Sequence, residues 1–195
     1  MAFGTRIQNK RKESLEVLEQ AYQTFGNNIV YACSFGAEGV VLIDLISRVN
    51  ERAEIVFLDT QFHFKETHEL IDKVREHYPK LRIHLKKPRL SPEGQAEKYG
   101  ERLWESNPDL CCGLRKIDPL KQALAGREAW ISGLRREQSA ARSTVQFYND
   151  DHKFGLKKIC PLIYWTWEEI WAYIEEHGLA YNPLHDRGYP SIGCE

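Results

Sequence analysis

The sequence predicts an α/β fold: an open, mostly parallel sheet with helices on both faces. Three observations predict it. Short apolar runs of strand length alternate with amphipathic stretches of ten or more residues. The run at 55–58, Ile-Val-Phe-Leu, is continuously apolar, as suits a strand buried on both faces. Loops rich in small or polar residues follow the first two runs, where ligands bind in such sheets.

The elements follow in order. Residues 8–25 carry Leu15, Leu18 and Tyr22 at helical spacing, and Gly26, Asn27 and Asn28 stop that helix. The first strand covers 29–33 and a small-residue loop 34–39. The helix at 40–49 buries Val41, Leu42, Leu45, Ile46 and Val49. A second strand at 54–58 leads through a loop, 59–63, into a helix at 64–77 ended by Tyr78 and Pro79. A third strand covers 81–85. Residues 86–109, with Pro88, Pro92, Gly94, Gly100 and Pro108, read as a long loop holding a short helix. A helix at 114–124 precedes a fourth strand at 129–132. Residues 135–157 lack periodicity and carry many charges, which predicts a mobile loop. A fifth strand is expected at 158–162. Thr166 is the expected N-cap of the last helix with Glu169 as its reciprocal partner, Trp171 and Ile174 facing inward and Gly178 at the end.

The chain of 195 residues suits one domain, 1–195, with 1–28 as its N-terminal helical extension. Hydrophobic residues make up 42%, charged residues 28%, and the net charge is −1. That balance gives no global pull toward nucleic acid or an anionic membrane, so an anion site must be built locally. No apolar run reaches the roughly 18 residues of a membrane span, and the polar, basic start is not a secretory signal. A cytoplasmic location is expected. The five cysteines, an odd count, argue against a disulfide framework. Cys33 and Cys160 read as small buried hydrophobes. The adjacent pair Cys111 and Cys112 is open to metal or redox chemistry.

Ser34, Phe35, Gly36, Ala37, Glu38 and Gly39 follow the first strand. Small residues there let backbone N–H groups approach an anion, and the next helix adds its positive end. In the second loop Leu58, Asp59, Thr60 and Gln61 follow a strand, and Asp59 offers acceptors to a ribose or an adenine amino group. Neither the GxGxxG spacing nor the Walker pattern is present. On the first loop alone, tight turn geometry explains Gly36 and Gly39 equally well.

Four segments together resemble the sulfonucleotide reductases, in that family's order and over about residues 29–195. The first joins Tyr31-Ala-Cys-Ser-Phe-Gly-Ala-Glu38 to Phe57-Leu-Asp-Thr60. The others are Cys111-Cys-Gly-Leu-Arg-Lys-Ile-Asp-Pro-Leu120, Trp130-Ile-Ser-Gly-Leu-Arg-Arg-Glu-Gln-Ser139 and Asn182-Pro-Leu-His-Asp-Arg-Gly-Tyr-Pro-Ser-Ile-Gly-Cys194. The resemblance implies an adenine nucleotide alpha hydrolase-like fold. ATP-cleaving relatives carry Ser-Gly-Gly-x-Asp-Ser, and the Asp-Ser end is missing here.

The implied activity is thioredoxin-dependent reduction of adenylyl sulfate, or its 3′-phosphorylated form, to sulfite in sulfate assimilation and cysteine biosynthesis. A cysteine thiolate attacks the sulfate sulfur and thioredoxin reduces the S-sulfocysteine. The residues from Ser34 to Gly39 with Leu58, Asp59 and Thr60 would hold the adenosine end. Lys116, Arg135, Arg136 and Arg142 would meet the phosphosulfate, because guanidinium forks suit oxyanions. Lys86, Lys87 and Arg89 are spare cations for a 3′-phosphate. Cys111, Cys112 and Cys194 match three of four ligands to a 4Fe–4S cluster, which places the chain in the cluster-bearing branch. Zinc on the three cysteines and His185 is the competing metal reading. The family's nucleophile lies in a C-terminal Glu-Cys-Gly tail absent from these residues, so the chain alone is expected to bind substrate without turnover. Two other classes stay open: an ATP-dependent adenylating enzyme, and a non-catalytic nucleotide-binding or metal- or redox-sensing domain. The residues are silent on oligomeric state, and a homo-oligomer stays open.

Overall fold

The computed structural model describes residues 2–194, with side chains from residue 4 onward. Among these residues six strands form one sheet in the order β3-β2-β1-β4-β6-β5. The strands are β1 (Ile29–Cys33), β2 (Glu54–Leu58), β3 (Arg82–Lys86), β4 (Ala129–Ile131), β5 (Tyr148–Asp151) and β6 (Leu156–Ile159). β1 pairs in parallel with β2 and β4, β2 with β3, and β4 with β6, while β5 returns antiparallel on β6. The expected open, mostly parallel sheet is present.

The two-residue period of a strand divides the core. Ile29, Tyr31, Cys33, Ile55, Phe57, Ala129 and Ile131 pack into the larger core, beneath α1 (Ala2–Phe25), α2 (Ala37–Val49), α3 (Lys65–His77) and α8 (Trp167–His177). Their neighbours Val30, Val56 and Trp130 join Leu124 of α7 (Asp118–Leu124) in a smaller core on the opposite face.

Several expectations need correction. α1 begins at Ala2 rather than residue 8, and its buried stripe extends back through Ser14 to Ile7. Ser14 Oγ donates to the Pro161 carbonyl at 2.8 Å and accepts from Trp165 Nε1 at 3.0 Å. Arg6 and Lys10 pair with Glu169, whose carboxylate is buried. Residues 86–109 are not one loop with one helix. They leave β3 at Lys86 and contain α4 (Pro92–Tyr99), α5 (Leu103–Ser106) and the start of α6 (Pro108–Cys112). The prolines that signalled a loop are helix starters: Ser91 Oγ accepts from Gly94 N, and Asn107 Oδ1 accepts from Leu110 N. The helix expected at 114–124 opens as a wider π-type turn, Gly113–Ile117, before α7. Residues 135–157 are not one loop. They hold two short 3₁₀ turns, at Arg136–Gln138 and Ala140–Arg142, and the β5–β6 hairpin. Its charges belong to an edge, where Asp150 pairs with Lys157. The fifth expected strand therefore starts earlier, at Leu156, and stops at Ile159.

The N-cap prediction holds. Thr166 Oγ1 accepts from Glu169 N, and Glu169 Oε2 accepts from Thr166 N at 2.8 Å. Gly178 closes α8 in the left-handed region, φ 58°. Ile174 is buried as expected, but Trp171 is half-buried in a surface aromatic cluster.

A single carboxylate ties three helices together. Asp44 of α2 is buried and accepts from Arg48 Nε at 2.9 Å, Tyr78 Oη at 2.9 Å and Tyr173 Oη at 2.5 Å. Burial raises its pKa, but the bonds from Arg48, Tyr173 and Tyr78 outweigh that and hold it below the ordinary carboxylate value. A depressed folded value means the contribution is present above about pH 4 and lost as pH falls through the folded pKa. Asp44→Asn is expected to lower unfolding free energy by about 2 kcal/mol at pH 7. Urea unfolding at pH 7 and at pH 3 checks this, with the deficit shrinking at the lower pH.

Candidate functional site

The strand order reverses between β1 and β4, which opens a crevice at their carboxyl ends. A cavity of about 250 Å³ lies there, walled by Ser34, Leu58, Thr60, His63, Trp130 and Ile192 among others. A second cavity of about 200 Å³ is lined by Phe62, Trp104, Cys111, Cys112, Arg115 and Cys194. Lys116 lines both. Its ammonium makes no hydrogen bond or ion pair among the described residues.

The loop after β1 is shorter than expected. Ser34, Phe35 and Gly36 form it, while Ala37, Glu38 and Gly39 are already the first turn of α2. Phe35 is left-handed, φ 55°, a conformation that costs a side-chain-bearing residue roughly 1 kcal/mol. Its buried ring, edge-on to Phe57 at 5.5 Å, offsets that cost. Gly39 is favoured by packing, since a Cβ there would stand a tight 3.1 Å from Cys33 Sγ. Close approach brings the free N–H groups of α2 to the crevice.

The loop after β2 repeats the device. Gln61 is left-handed, φ 63°, and its N–H donates to Asp59 Oδ1 at 3.0 Å. Asp59 is buried in that turn, so its carboxylate shapes the loop. Thr60 Oγ1 accepts from Phe62 N at 3.2 Å and lies 3.0 Å from His63 Nδ1 and 3.2 Å from Cys194 Sγ.

The arginines behave differently from expectation. Arg135 is buried, with Nε donating to Glu38 at 2.8 Å, Nη1 paired with Glu137, and the guanidinium over Trp167. Arg136 donates to the Val145 carbonyl at 2.9 Å and lies over the Tyr164 ring. Arg142 donates to Gln138. None of the three lines either cavity.

Sequence reasoning missed Arg115 and His63. Arg115 is buried and donates to Gln95 Oε1 at 2.8 Å and the Thr60 carbonyl at 3.1 Å, so it locks the β2 loop to α4. Its position beside Lys116 in the paired-cysteine motif was the available signal. His63 packs against Phe57 with the rings tilted 51° and their centroids 4.7 Å apart, and nothing in the sequence marked it.

The iron–sulfur and metal-binding reading is overturned. Among the described residues no group of three or more His, Cys, Asp or Glu side chains is placed to hold a metal ion. Cys111 is buried, with Gln95 Nε2 3.9 Å from its sulfur, while Cys112 is exposed. Consecutive residues of a helix point about 100° apart, so although both border the second cavity one is buried and the other exposed. Cys194 is spoken for by Thr60. The zinc alternative falls with it, because His185 sits against Trp167 and Trp171 and donates from Nδ1 to the Tyr189 carbonyl. The residues therefore do not fit a 4Fe–4S cluster, and the cluster-bearing branch is unsupported. Cys33 and Cys160 are buried, as expected, and burial pushes their thiols up to about 12 and about 11. Bonding to Phe35 and Tyr31 lowers Cys33 only partly.

Fold and crevice together define an open-sheet protein of the adenine nucleotide alpha hydrolase-like fold. A solved phosphoadenylyl-sulfate reductase from Candida auris, in a phosphate complex, superposes with a TM-score of 0.81 at 35% identity, covering 96% of this chain and 93% of that one. A Candida glabrata FMN adenylyltransferase, at 14% identity and a TM-score of 0.72, shares the fold alone. The phosphoadenosine phosphosulfate reductase domain profile matches residues 28–195. The adenosine 5′-phosphosulfate reductase of Halalkalibacterium halodurans is 63% identical over 186 residues, covering 95% of this chain and 80% of the relative. That of Bacillus anthracis is 56% identical over 195 residues, covering 100% and 86%. The chain belongs to the phosphoadenosine phosphosulfate reductase domain family.

His63 supplies a pH test of this site. Burial lowers its pKa, Asp59 opposes that, and His68 and Lys116 add to the lowering, leaving a value of about 4. Between there and the ordinary 6.5 the unfolded chain binds the extra proton, so stability falls on acidification through that window. An NMR titration should find the His63 ring neutral at pH 5.5. A midpoint near 6.5 would contradict the buried geometry.

Proposed function

We propose that this protein reduces adenylyl sulfate to sulfite and AMP with electrons from thioredoxin, and acts as a single reductase domain in the cytoplasm. The observation that carries the reading is the two-part cleft joined at Lys116. The cavity at β1, β2 and β4 suits an adenosine: apolar walls from Leu58, Trp130 and Ile192 with a few polar groups, Ser34 and Thr60 among them. The phosphosulfate would then run past the α2 N-terminus to Lys116. Family membership and the near-full-length relatives named for this reaction support the assignment.

In the reaction a thiolate attacks sulfur, the sulfur–oxygen bond to the phosphate breaks, and AMP leaves with the bridging oxygen. Two thiols of thioredoxin then reduce the S-sulfocysteine, releasing sulfite and closing a thioredoxin disulfide. Lys116 stabilises the charge that gathers on the departing phosphate, a role that needs an unpaired cation in a confined site. Ser34, Phe35, Gly36, Ala37, Glu38, Gly39, Leu58, Asp59 and Thr60 frame the nucleotide, the acidic ones through the turns they build. Arg135 acts through Glu38 by fixing the first turn of α2, and Arg136 and Arg142 brace the same loop. Transfer of the 3′-phosphorylated nucleotide would use the basic segment at Lys86, Lys87 and Arg89. The ATP-cleaving alternative is disfavoured by Glu38, a carboxylate held beside the α2 N-terminus where a longer polyphosphate would need to lie.

The test is adenylyl sulfate binding together with thioredoxin-dependent sulfite release by the full-length protein, one sulfite per AMP. Failure of both would sink the assignment. Lys116→Ala is expected to lower kcat/KM about 100-fold, and Lys116→Arg to retain more activity. Unchanged kinetics in Lys116→Ala would remove Lys116 from the site.

A further inference from the structure

A groove of about 400 Å³ lies outside the nucleotide cleft, on the outer side of α8. Trp167 and Trp171 meet at 87° with ring centroids 5.6 Å apart, and Trp171 meets Tyr181 at 88° and 5.0 Å. With Trp171 edge-on to both neighbours, the three rings present π-faces and edges around one space. Glu175 and Asp186 line it too, and no Lys or Arg does. Neither carboxylate has an ion-pair partner among the described residues; Asp186 accepts from Tyr181 Oη at 3.1 Å. Their joint field is felt by the Tyr181 phenol, whose pKa is raised by Asp186 first and by Glu175 as well. His185 borders the groove with Nδ1 2.8 Å from the Tyr189 carbonyl and Nε2 buried without a hydrogen-bond partner. The wall thus offers π-faces and acceptors with uncompensated negative charge. The Trp167 ring already carries one guanidinium, that of Arg135 at 5.3 Å, which shows the chemistry the rings accept.

We propose that this groove binds an organic cation bearing N–H donors, a guanidinium or a primary ammonium, held by the aromatic rings and paired with Glu175 and Asp186. The chemistry is met either by a free basic amino-acid derivative or by an arginine or lysine presented by another protein. The site is independent of the reductase assignment, so either can fail without the other.

The probes are N-acetyl-L-arginine amide and its neutral isostere N-acetyl-L-citrulline amide, followed by indole fluorescence and by the indole N–H signals of Trp167 and Trp171. The arginine probe should give a saturable change and the citrulline probe none. Glu175→Gln combined with Asp186→Asn, both at the surface, should weaken binding about fivefold, as two solvent-exposed ion pairs of roughly 0.5 kcal/mol would. Saturating AMP should leave the affinity unchanged. Equal response to both probes, undiminished affinity in the double variant, or competition by AMP would each overturn the proposal. A Gly-Arg-Gly peptide separates the two sources: tighter binding than the amide identifies a protein side chain, and equal binding a free small cation.

Discussion

The structure depends on β1 being paired along both edges. A strand bonded to β2 on one side and β4 on the other has no backbone group left for solvent along its length. Its side chains must then be apolar on both faces, which Ile29, Val30 and Tyr31 satisfy by burying nearly all of their surface. The chain leaves the sheet at Cys33, and the loop there has to turn directly into α2. The crevice follows from the strand order: the connection from β1 leads along the sheet toward β2 and that from β4 toward β6, so they part at the switch point.

Close approach at this point is enforced by small groups. Gly39 leaves room for the Cys33 sulfur, and Gly133 lies where a Cβ would stand 3.4 Å from Tyr31 Oη. The left-handed Phe35 and Gln61 are local costs accepted for the same end, each held by its surroundings: a buried ring in one case, the Asp59 turn in the other. Charge is distributed with similar economy. Arg135 is neutralised by Glu38 and Glu137 and serves as a brace, while Lys116, which lines both cavities, has no ion-pair partner among the described residues. With a net charge of −1 the protein has no general attraction for anions, so any positive field at the cleft comes from this local inequality.

Much of the architecture was legible in the residues. The continuous apolar runs gave the central strands, and Thr166 with Glu169 marked the start of α8 because a capping box is a local arrangement of four residues. The stretch 86–109 was harder. Its prolines and glycines are breaker signals by composition, yet Pro92 and Pro108 sit at first helical positions after Ser91 and Asn107, where the same residues begin helices. The β5–β6 hairpin was hidden because an edge strand with exposed charges has no apolar alternation to read.

The sequence by itself determined the fold class, the two βα loops that frame the crevice, and the family, since each rests on patterns only a few residues long. Tertiary structure alone decided which charges are free. Arg135, Arg136 and Arg142 look equivalent to Lys116 along the chain, and only the folded arrangement, with Glu38 meeting Arg135 across 97 positions and Val145 and Gln138 meeting Arg136 and Arg142 nearby, shows that the arginines are engaged while Lys116 has no such partner among the described residues. The same holds for the cysteines. Adjacency of Cys111 and Cys112 suggested shared ligands, but only the fold, which brings Cys194 to the same cavity across more than eighty residues, shows that the described residues form no group placed to hold a metal.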